Sequence, residues 1–177
     1  MIKIPKEIRS GSEHPYCDTI QLIMVVLFFI VWVADSLSYF FFRFSTILVG
    51  STLIPLRLFF SIVTFGFSIY IISKSHKAIF SNITNQPKLI KSGIYSLIRH
   101  PMYLGTLLFC LAFLFGMPSL LSAIIWVGFF IFYDKMATYE ENYLIRMLGK
   151  EYTNYQKQVP KWFPRIIKTH RNYSHIS

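Results

Sequence analysis

Leu22-Ile-Met-Val-Val-Leu-Phe-Phe-Ile-Val-Trp-Val-Ala34 runs without a charged residue, and the apolar character resumes after Asp35 as far as Phe42. Together these give about 21 residues, close to the roughly 20 that an α-helix needs to cross a bilayer. No small-x-small cleavage pattern follows the run and further apolar segments come later, so it reads as a first transmembrane helix and not as a signal peptide. The whole composition agrees. Of 177 residues, 54% are hydrophobic and 15% charged, with 18 Phe, 11 Tyr and 3 Trp; a soluble domain averages about 25% charged. A water-soluble chain of this size could not bury so much apolar surface. The balance excludes a disordered chain, a disulfide scaffold and an ordinary cytosolic enzyme, and the length is that of one domain, 1–177.

Outward from this run, three more spans are expected. The second extends from Pro55, suited to a first helical turn, to about Ile72, with Arg57 near its start. Ser61, Thr64, Gly66 and Ser68 within it suit close helix packing. The third and fourth, Met102–Met117 and Leu120–Tyr133, flank Gly116-Met117-Pro118-Ser119, where Gly closes one helix and Pro opens the next. This predicts a tight helical hairpin. Sixteen residues rise only about 24 Å, so both helices should extend past their apolar cores, the third from near His100 and the fourth towards Glu141. The expected fold is an all-α integral membrane protein of about four transmembrane helices, followed by a cytoplasmic C-terminal amphipathic segment.

Charge fixes the orientation. The chain carries 18 Lys and Arg against 8 Asp and Glu, a net charge of +10. In a soluble protein that balance would raise nucleic-acid binding; here retention of basic residues on the cytoplasmic face accounts for it, and no nucleic acid is expected. Lys3, Lys6 and Arg9 precede the first span; Lys74, Lys77, Lys88, Lys91 and Arg99 lie between the second and third; Lys135 and seven more basic residues follow the fourth. The other side has Arg43 and Arg57. Both termini are therefore expected in the cytoplasm. Of the two cysteines, only Cys110 lies in an apolar run, so a core role is expected for it and a disulfide is not.

The chemically informative stretch is Lys88-Leu-Ile-Lys-Ser-Gly-Ile-Tyr-Ser-Leu-Ile-Arg-His-Pro-Met-Tyr-Leu-Gly105. Gly93 and Pro101 mark a loop entering a helix. Arg99 and His100 then sit where that helix meets the cytoplasm, Tyr103 stands one turn along, and Gly105 permits close approach of a ligand or a neighbouring helix. Folding about 117–118 would set His100 opposite roughly Lys135, with Glu140 and Glu141 slightly beyond, facing the loop of Tyr95 and Arg99. Paired carboxylates at the end of a membrane helix are costly unless partnered or hydrated. Adjacent positions point in different directions, so one of the two is expected on a solvated face. Arg and His on one helix with Glu on the next offer partners to both ends of a zwitterion, which points to an amino-acid-bearing cofactor.

These residues resemble a family. Leu89-Ile-Lys-Ser-Gly-Ile-Tyr95, Arg99-His-Pro-Met-Tyr-Leu-Gly105, Glu140-Glu-Asn-Tyr-Leu144, Leu148-Gly-Lys-Glu-Tyr152, Tyr155 and Val159-Pro-Lys-Trp-Phe-Pro164 are similar, in order, to the isoprenylcysteine carboxyl methyltransferases and their wider group of membrane phospholipid methyltransferases. The resemblance covers residues 88–164. It implies an integral membrane methyltransferase in which 1–87 supply N-terminal spans and 88–164 form a hairpin and C-terminal segment binding S-adenosylmethionine. Carried over, Tyr95, His100, Tyr103, Leu104, Gly105 and Glu140 would bind the cofactor, and Arg99, Glu140 and Glu141 would act at the reacting centre. Tyr152, Tyr155 and Trp162 would cover the pocket. The chain departs from the family where Lys135-Met136 replaces an Arg before the Glu pair, and at Leu148-Gly149 and Gln158-Val-Pro.

A carboxylate acceptor is already ionised at pH 7 and needs orientation more than a base; an amine or thiol would need deprotonation by Glu140, Glu141 or His100. A lipophilic acceptor entering from the bilayer suits the apolar scaffold, with phospholipid amines and small thiols or phenols as alternatives. A sterol-reductase-like membrane enzyme and a non-enzymatic adaptor are the readings from other classes. Asp35 is expected at the far interface. His14, His76, His170 and His175 show no metal-ligand spacing, so no metal is expected. Asn82-Ile-Thr84 fits a glycosylation sequon on the cytoplasmic side. Lys161–Arg171, with Trp162 and Phe163, reads as a tail attracted to anionic lipid, and the chain's end carries no prenylation signal.

Overall fold

The computed structural model describes residues 17–42, 53–81 and 89–164. Within them the chain forms α1 (Cys17–Phe42), α2 (Ile54–Ser81), a 3-10 turn at Gly93–Ser96, α3 (Pro101–Gly116), α4 (Leu120–Leu148) and α5 (Lys150–Gln158). Lys3, Lys6, Arg9, His14, Arg43, the Asn82–Thr84 sequon, Lys88 and everything from Arg165 onward lie outside the described residues.

Among the described residues, three helices are long and apolar enough to cross a membrane: α1 over Thr19–Ser38, α2 over Ile54–Ile79, and α4. Their outward faces leave Leu22, Ile62 and Ile124 64%, 70% and 62% exposed, a disposition that suits lipid and not water. The chain is a membrane protein. α3 is apolar but has 16 residues. It starts directly after His100, as expected, and gains no extra turn; α4 extends well past its apolar core, to Leu148.

α3 is the central element. α2 runs antiparallel to it in a fixed register: Arg57 Nη2 donates to Gly116 O (2.7 Å), Ser61 Oγ to Ala112 O (2.8 Å) and Ser68 Oγ to Gly105 O (2.9 Å). In each pair the two residue numbers add to the same value, as one antiparallel register requires. Small residues permit the approach: a Cβ on Gly105 would lie 2.6 Å from Ile72 Cγ1. The expected packing role therefore holds for Ser61 and Ser68 but not for Gly66, which has open space beside it.

α1 lies on another face of α3, with Phe29 edge-on to Phe113 at 4.9 Å and Trp32 edge-on to Phe113 at 5.3 Å. α4 takes a third face. Trp126 Nε1 donates to Leu107 O (2.8 Å), and Phe28, Leu107, Cys110, Leu114, Phe129, Tyr133 and Ala137 form the main core. Cys110 thus has the core position expected of it, buried as a free thiol. Asp35 is buried too, at 8% exposure.

Residues 117–119 join α3 to α4. The last carbonyls of α3 have no partner within their own helix; Arg57 bonds Gly116 O, and Trp32 Nε1 donates to Met117 O (3.1 Å). Arg57 also places positive charge at the negative end of the helix dipole. Pro118 does not open α4. Ser119 is its N-cap and accepts from Ser122 N (3.1 Å), the role a hydroxyl fills better than a ring.

At the opposite end, Gly149 has φ +55°, a conformation that side chains disfavour. There the chain leaves α4 and turns into α5, whose Tyr152 and Tyr155 pack with Val159 on Leu89, Leu144, Ile145 and Leu148.

Candidate active site

The sequence that ends the 3-10 turn and begins α3 carries Arg99 and His100 side by side, with Pro101 at the first helical position. The backbone N–H groups here have no helical partner. Arg99 N donates to Pro160 O (3.0 Å) and His100 N to Lys161 O (3.4 Å), so the segment after α5 is stitched across the start of α3.

Arg99, His100, Glu140 and Glu141 form one cluster. Arg99 Nε donates to Glu141 Oε1 (2.8 Å), and its Nη1 to Gln156 O and Val159 O (both 2.9 Å). His100 lies between the carboxylates, Nε2 3.0 Å from Glu141 Oε1 and Nδ1 3.5 Å from Glu140 Oε2. Tyr103 donates its hydroxyl to Glu140 Oε1, and Gln156 Nε2 donates to Glu141 Oε2 (3.0 Å). Burial alone would lower the His100 pKa, but its hydrogen bonds to Glu140 and Glu141 outweigh this and hold it above the ordinary histidine value. The two carboxylates thus favour the protonated form of the ring.

Both glutamates are buried, Glu140 at 8% and Glu141 at 7% exposure. The expectation of one solvated carboxylate is overturned because partners arrive from both sides of α4. Tyr103 and His100 reach one carboxylate; Arg99, His100 and Gln156 reach the other. The register also differs from expectation: His100 meets Glu140 and Glu141, whereas Lys135 is exposed. Side chains lean towards the N-terminus of their own helix. Those of α3 therefore lean out of the bundle and those of α4 lean into it, so α4 contributes residues later than the backbone pairing implies.

An aromatic stack continues inward. The His100 and Tyr103 rings are parallel within 3° at 5.7 Å, Tyr103 stacks on Tyr133 at 4.7 Å, and Tyr133 on Phe129 at 5.2 Å. Leu104 and Gly105 face elsewhere. Leu104 clusters with Ile71 and Ile98, and Gly105 meets α2; of the two partners the sequence left open for Gly105, the structure supplies a helix. Tyr95 lies towards α5, its carbonyl accepting from Tyr155 Oη (2.6 Å). Burial pushes the Tyr155 pKa to about 12, so the phenol stays protonated and donates.

Three contributors escaped the sequence. Asp134 Oδ1 accepts from Lys161 Nζ (2.6 Å) and Trp162 Nε1 (2.9 Å), and Lys161 Nζ also reaches Asp134 O (2.9 Å) and Thr138 Oγ1 (2.8 Å). Asp134, Thr138 and Gln156 carried no motif, whereas Lys161 and Trp162 lie in the Val159–Pro164 string. The available signal was an acidic residue two helical turns before Glu141 in an otherwise apolar helix. The expected lipid-attracted tail is corrected at its start: Lys161 and Trp162 fold onto Asp134 because the ammonium and the indole N–H find a carboxylate there.

The profile of the phospholipid methyltransferase family matches residues 45–151. Among curated proteins, the chain is similar to protein-S-isoprenylcysteine O-methyltransferase B of Arabidopsis thaliana, 33% identical over 80 residues that cover 45% of this chain and 41% of that one. It is 32% identical over 79 residues to the protein-S-isoprenylcysteine O-methyltransferase of Schizosaccharomyces pombe, covering 44% and 34%. To that of Saccharomyces cerevisiae it is 32% identical over 93 residues, covering 49% and 39%. The chain spans less than half the length of these curated relatives. It belongs to the phospholipid methyltransferase family, in which its similarity is to the protein-S-isoprenylcysteine O-methyltransferases.

Proposed function

We propose that the chain is an integral membrane methyltransferase that draws on S-adenosylmethionine and methylates the carboxylate of an isoprenylcysteine-like lipophilic acceptor. The observation that carries this reading is the buried Arg99, His100, Glu140 and Glu141 cluster at one end of an apolar helix bundle, in a chain similar to enzymes named for that reaction.

The cluster suits an amino-acid-bearing cofactor. A carboxylate offers about four acceptor positions. Glu141 is engaged by Arg99, His100 and Gln156, which fits it to hold the other residues in place. Glu140 is engaged by Tyr103 and His100 and retains capacity for an ammonium. Glu140, His100 and Tyr103 then hold the cofactor, with Tyr95, Leu104 and Gly105 supporting the helix end that presents them. Arg99 orients the acceptor's carboxylate from its fixed place beside Glu141. The cofactor, when bound, supplies a methyl group activated on a sulfonium. The acceptor carboxylate needs no base and loses charge on reaction, so the protein must align it without holding it too strongly. Residues 159–162, laid across Arg99 and His100, limit water at that point.

In this reading α1 to α4 all span the bilayer, α3 and α4 as a hairpin, with both termini and the amphipathic α5 on the cytoplasmic side. Lys74, Lys77, Lys91 and Lys161 lie at the cluster end of the bundle and Arg57 at the other, which supports that orientation.

The test is calorimetric titration of the protein in lipid nanodiscs with S-adenosylmethionine, followed by transfer of tritiated methyl groups. N-acetyl-S-farnesylcysteine should be labelled. Labelling of phosphatidylethanolamine instead would favour an amine acceptor, the reading that the family profile's description favours. No binding of S-adenosylmethionine in detergent or bilayer overturns the proposal, and binding of a nicotinamide cofactor in its place would point to a reductase.

A further inference from the structure

The faces of α3 are unequally covered. Ser68 and Ser61 of α2 hold the Gly105 and Ala112 side; α1 takes Phe109 and Phe113; α4 takes Tyr103, Leu107, Cys110 and Leu114. At 3.6 residues per turn the face left over carries Leu104, Leu108 and Leu111, between α2 and α4, which pack on α3 but hardly on each other. At the cluster end of this face stands Trp162. It packs against the buried cluster of Ile71, Ile98 and Leu104, as Leu108 also does, its ring lies 5.5 Å from Phe130 and 6.3 Å from His100, and it is half-buried. Leu104 is buried there, and Leu108 and Leu111 are half-buried, so Trp162 stands between this partly covered apolar face and the charged cluster.

Its orientation has a specific cause. The residue follows α5 in an irregular segment, and Asp134 Oδ1 accepts from both the indole N–H (2.9 Å) and the neighbouring Lys161 (2.6 Å). Arg99 holds the other end of the segment through Val159 O, so the ring is fixed between two anchors.

We infer that Trp162 is a selectivity residue, reading the apolar chain of the acceptor where that chain joins its reacting head, and that Asp134 is the positioning residue which holds the indole there. The inference rests on the proposed lipophilic acceptor. A chain rising from the bilayer along Leu108 and Leu104 meets the Trp162 ring before its head reaches His100. A short-chain analogue with the same head does not need that contact.

Two acceptors with one head group test this: N-acetyl-S-farnesylcysteine and N-acetyl-S-butylcysteine, compared by kcat/KM in Trp162→Ala, Trp162→Phe, Asp134→Ala and Asp134→Asn. The farnesyl-to-butyl ratio should fall about tenfold in Trp162→Ala, the scale of one buried aromatic contact. It should fall in Asp134→Ala and be largely restored in Asp134→Asn, whose amide oxygen still accepts from the indole. Trp162→Phe keeps the ring and guards against a variant that fails to fold. An independent readout needs no turnover. Protein grown with 5-fluorotryptophan should give three fluorine resonances, one for each Trp, with Trp162 assigned by its loss in Trp162→Phe. That resonance should move in Asp134→Ala, and should move on adding the farnesyl but not the butyl compound. Equal loss with both acceptors, or a Trp162 resonance indifferent to Asp134→Ala and to the farnesyl chain, overturns the inference. Absence of S-adenosylmethionine binding with the fluorine response intact would instead overturn the reaction and leave the apolar-chain site standing.

Discussion

Arg99 Nε stands 2.8 Å from Glu141 Oε1, and the two side chains are only 12% and 10% exposed. This pair joins three separate pieces of chain, since Arg99 also donates to Gln156 O and Val159 O. Removing one partner leaves a buried charge, at a cost of about 3–5 kcal/mol. Arg99→Ala should therefore lower the thermal midpoint in detergent severely, and Arg99→Lys should not restore it, because a point charge cannot replace a planar fork with several acceptors. A midpoint for Arg99→Lys equal to the wild type would show that charge alone matters.

Glu140 has the more open role. Glu140→Gln keeps an oxygen for the Tyr103 hydroxyl but removes the charge offered to an ammonium. Loss of a charge-assisted hydrogen bond is worth about 1.5–3 kcal/mol, so S-adenosylmethionine affinity should fall by roughly tenfold or more, with a near-native melting curve. His100→Ala should go further and abolish binding. Titration calorimetry decides, and unchanged affinity in either variant removes that residue from the cofactor's surroundings.

His100 makes stability depend on pH in a set direction. Its folded-state pKa is raised by Glu140 and Glu141 against the opposing effect of burial. The folded chain thus holds the proton more tightly than the unfolded one, whose value is about 6.5. The stabilisation is complete below that value and is lost as pH rises through the folded pKa. Melting temperatures measured from about pH 6 to about pH 9 should decline in the wild type and change less in His100→Asn. Identical slopes would count against a protonated imidazole between the carboxylates.

The α2–α3 seam gives a fourth expectation. Gly105→Ala places a Cβ 2.6 Å from Ile72 Cγ1, and such overpacking costs about 1–3 kcal/mol. Gly105→Ala with Ile72→Ala should recover part of that loss. Ser68→Ala, which removes one interhelical hydrogen bond, should cost less, about 0.6 kcal/mol. Denaturation in mixed micelles would separate the two, and additive losses for Gly105 and Ile72 would contradict the close contact.

Much of this was legible in the chain. The apolar runs located the helices because a bilayer demands about the same length from every span, and Arg99-His100 with Glu140-Glu141 marked the cluster because such charges are rare beside apolar helices. What was not legible depended on three-dimensional register. Lys135 was placed opposite His100 by counting back from the turn, but the lean of the side chains brings Glu140 and Glu141 there instead. The Asp134 contacts with Lys161 and Trp162 span 27 and 28 positions of sequence and leave no local pattern. Gly66 and Gly105 look alike in sequence, and only packing shows that one faces α2 and the other faces nothing.

The brevity of α3 has a consequence for its lipid surroundings. Its 16 residues rise about 24 Å, some 6 Å less than the thickness of a typical hydrocarbon core. With the Gly116 end held by Arg57 and Trp32, the proposed spanning arrangement would collect hydrophobic mismatch at the His100 end, where the bilayer would thin or headgroups would sink. In the proposed orientation, a lipid-anchored carboxylate would reach the cluster by following that dimple downward. Its tail would never have to leave the acyl layer.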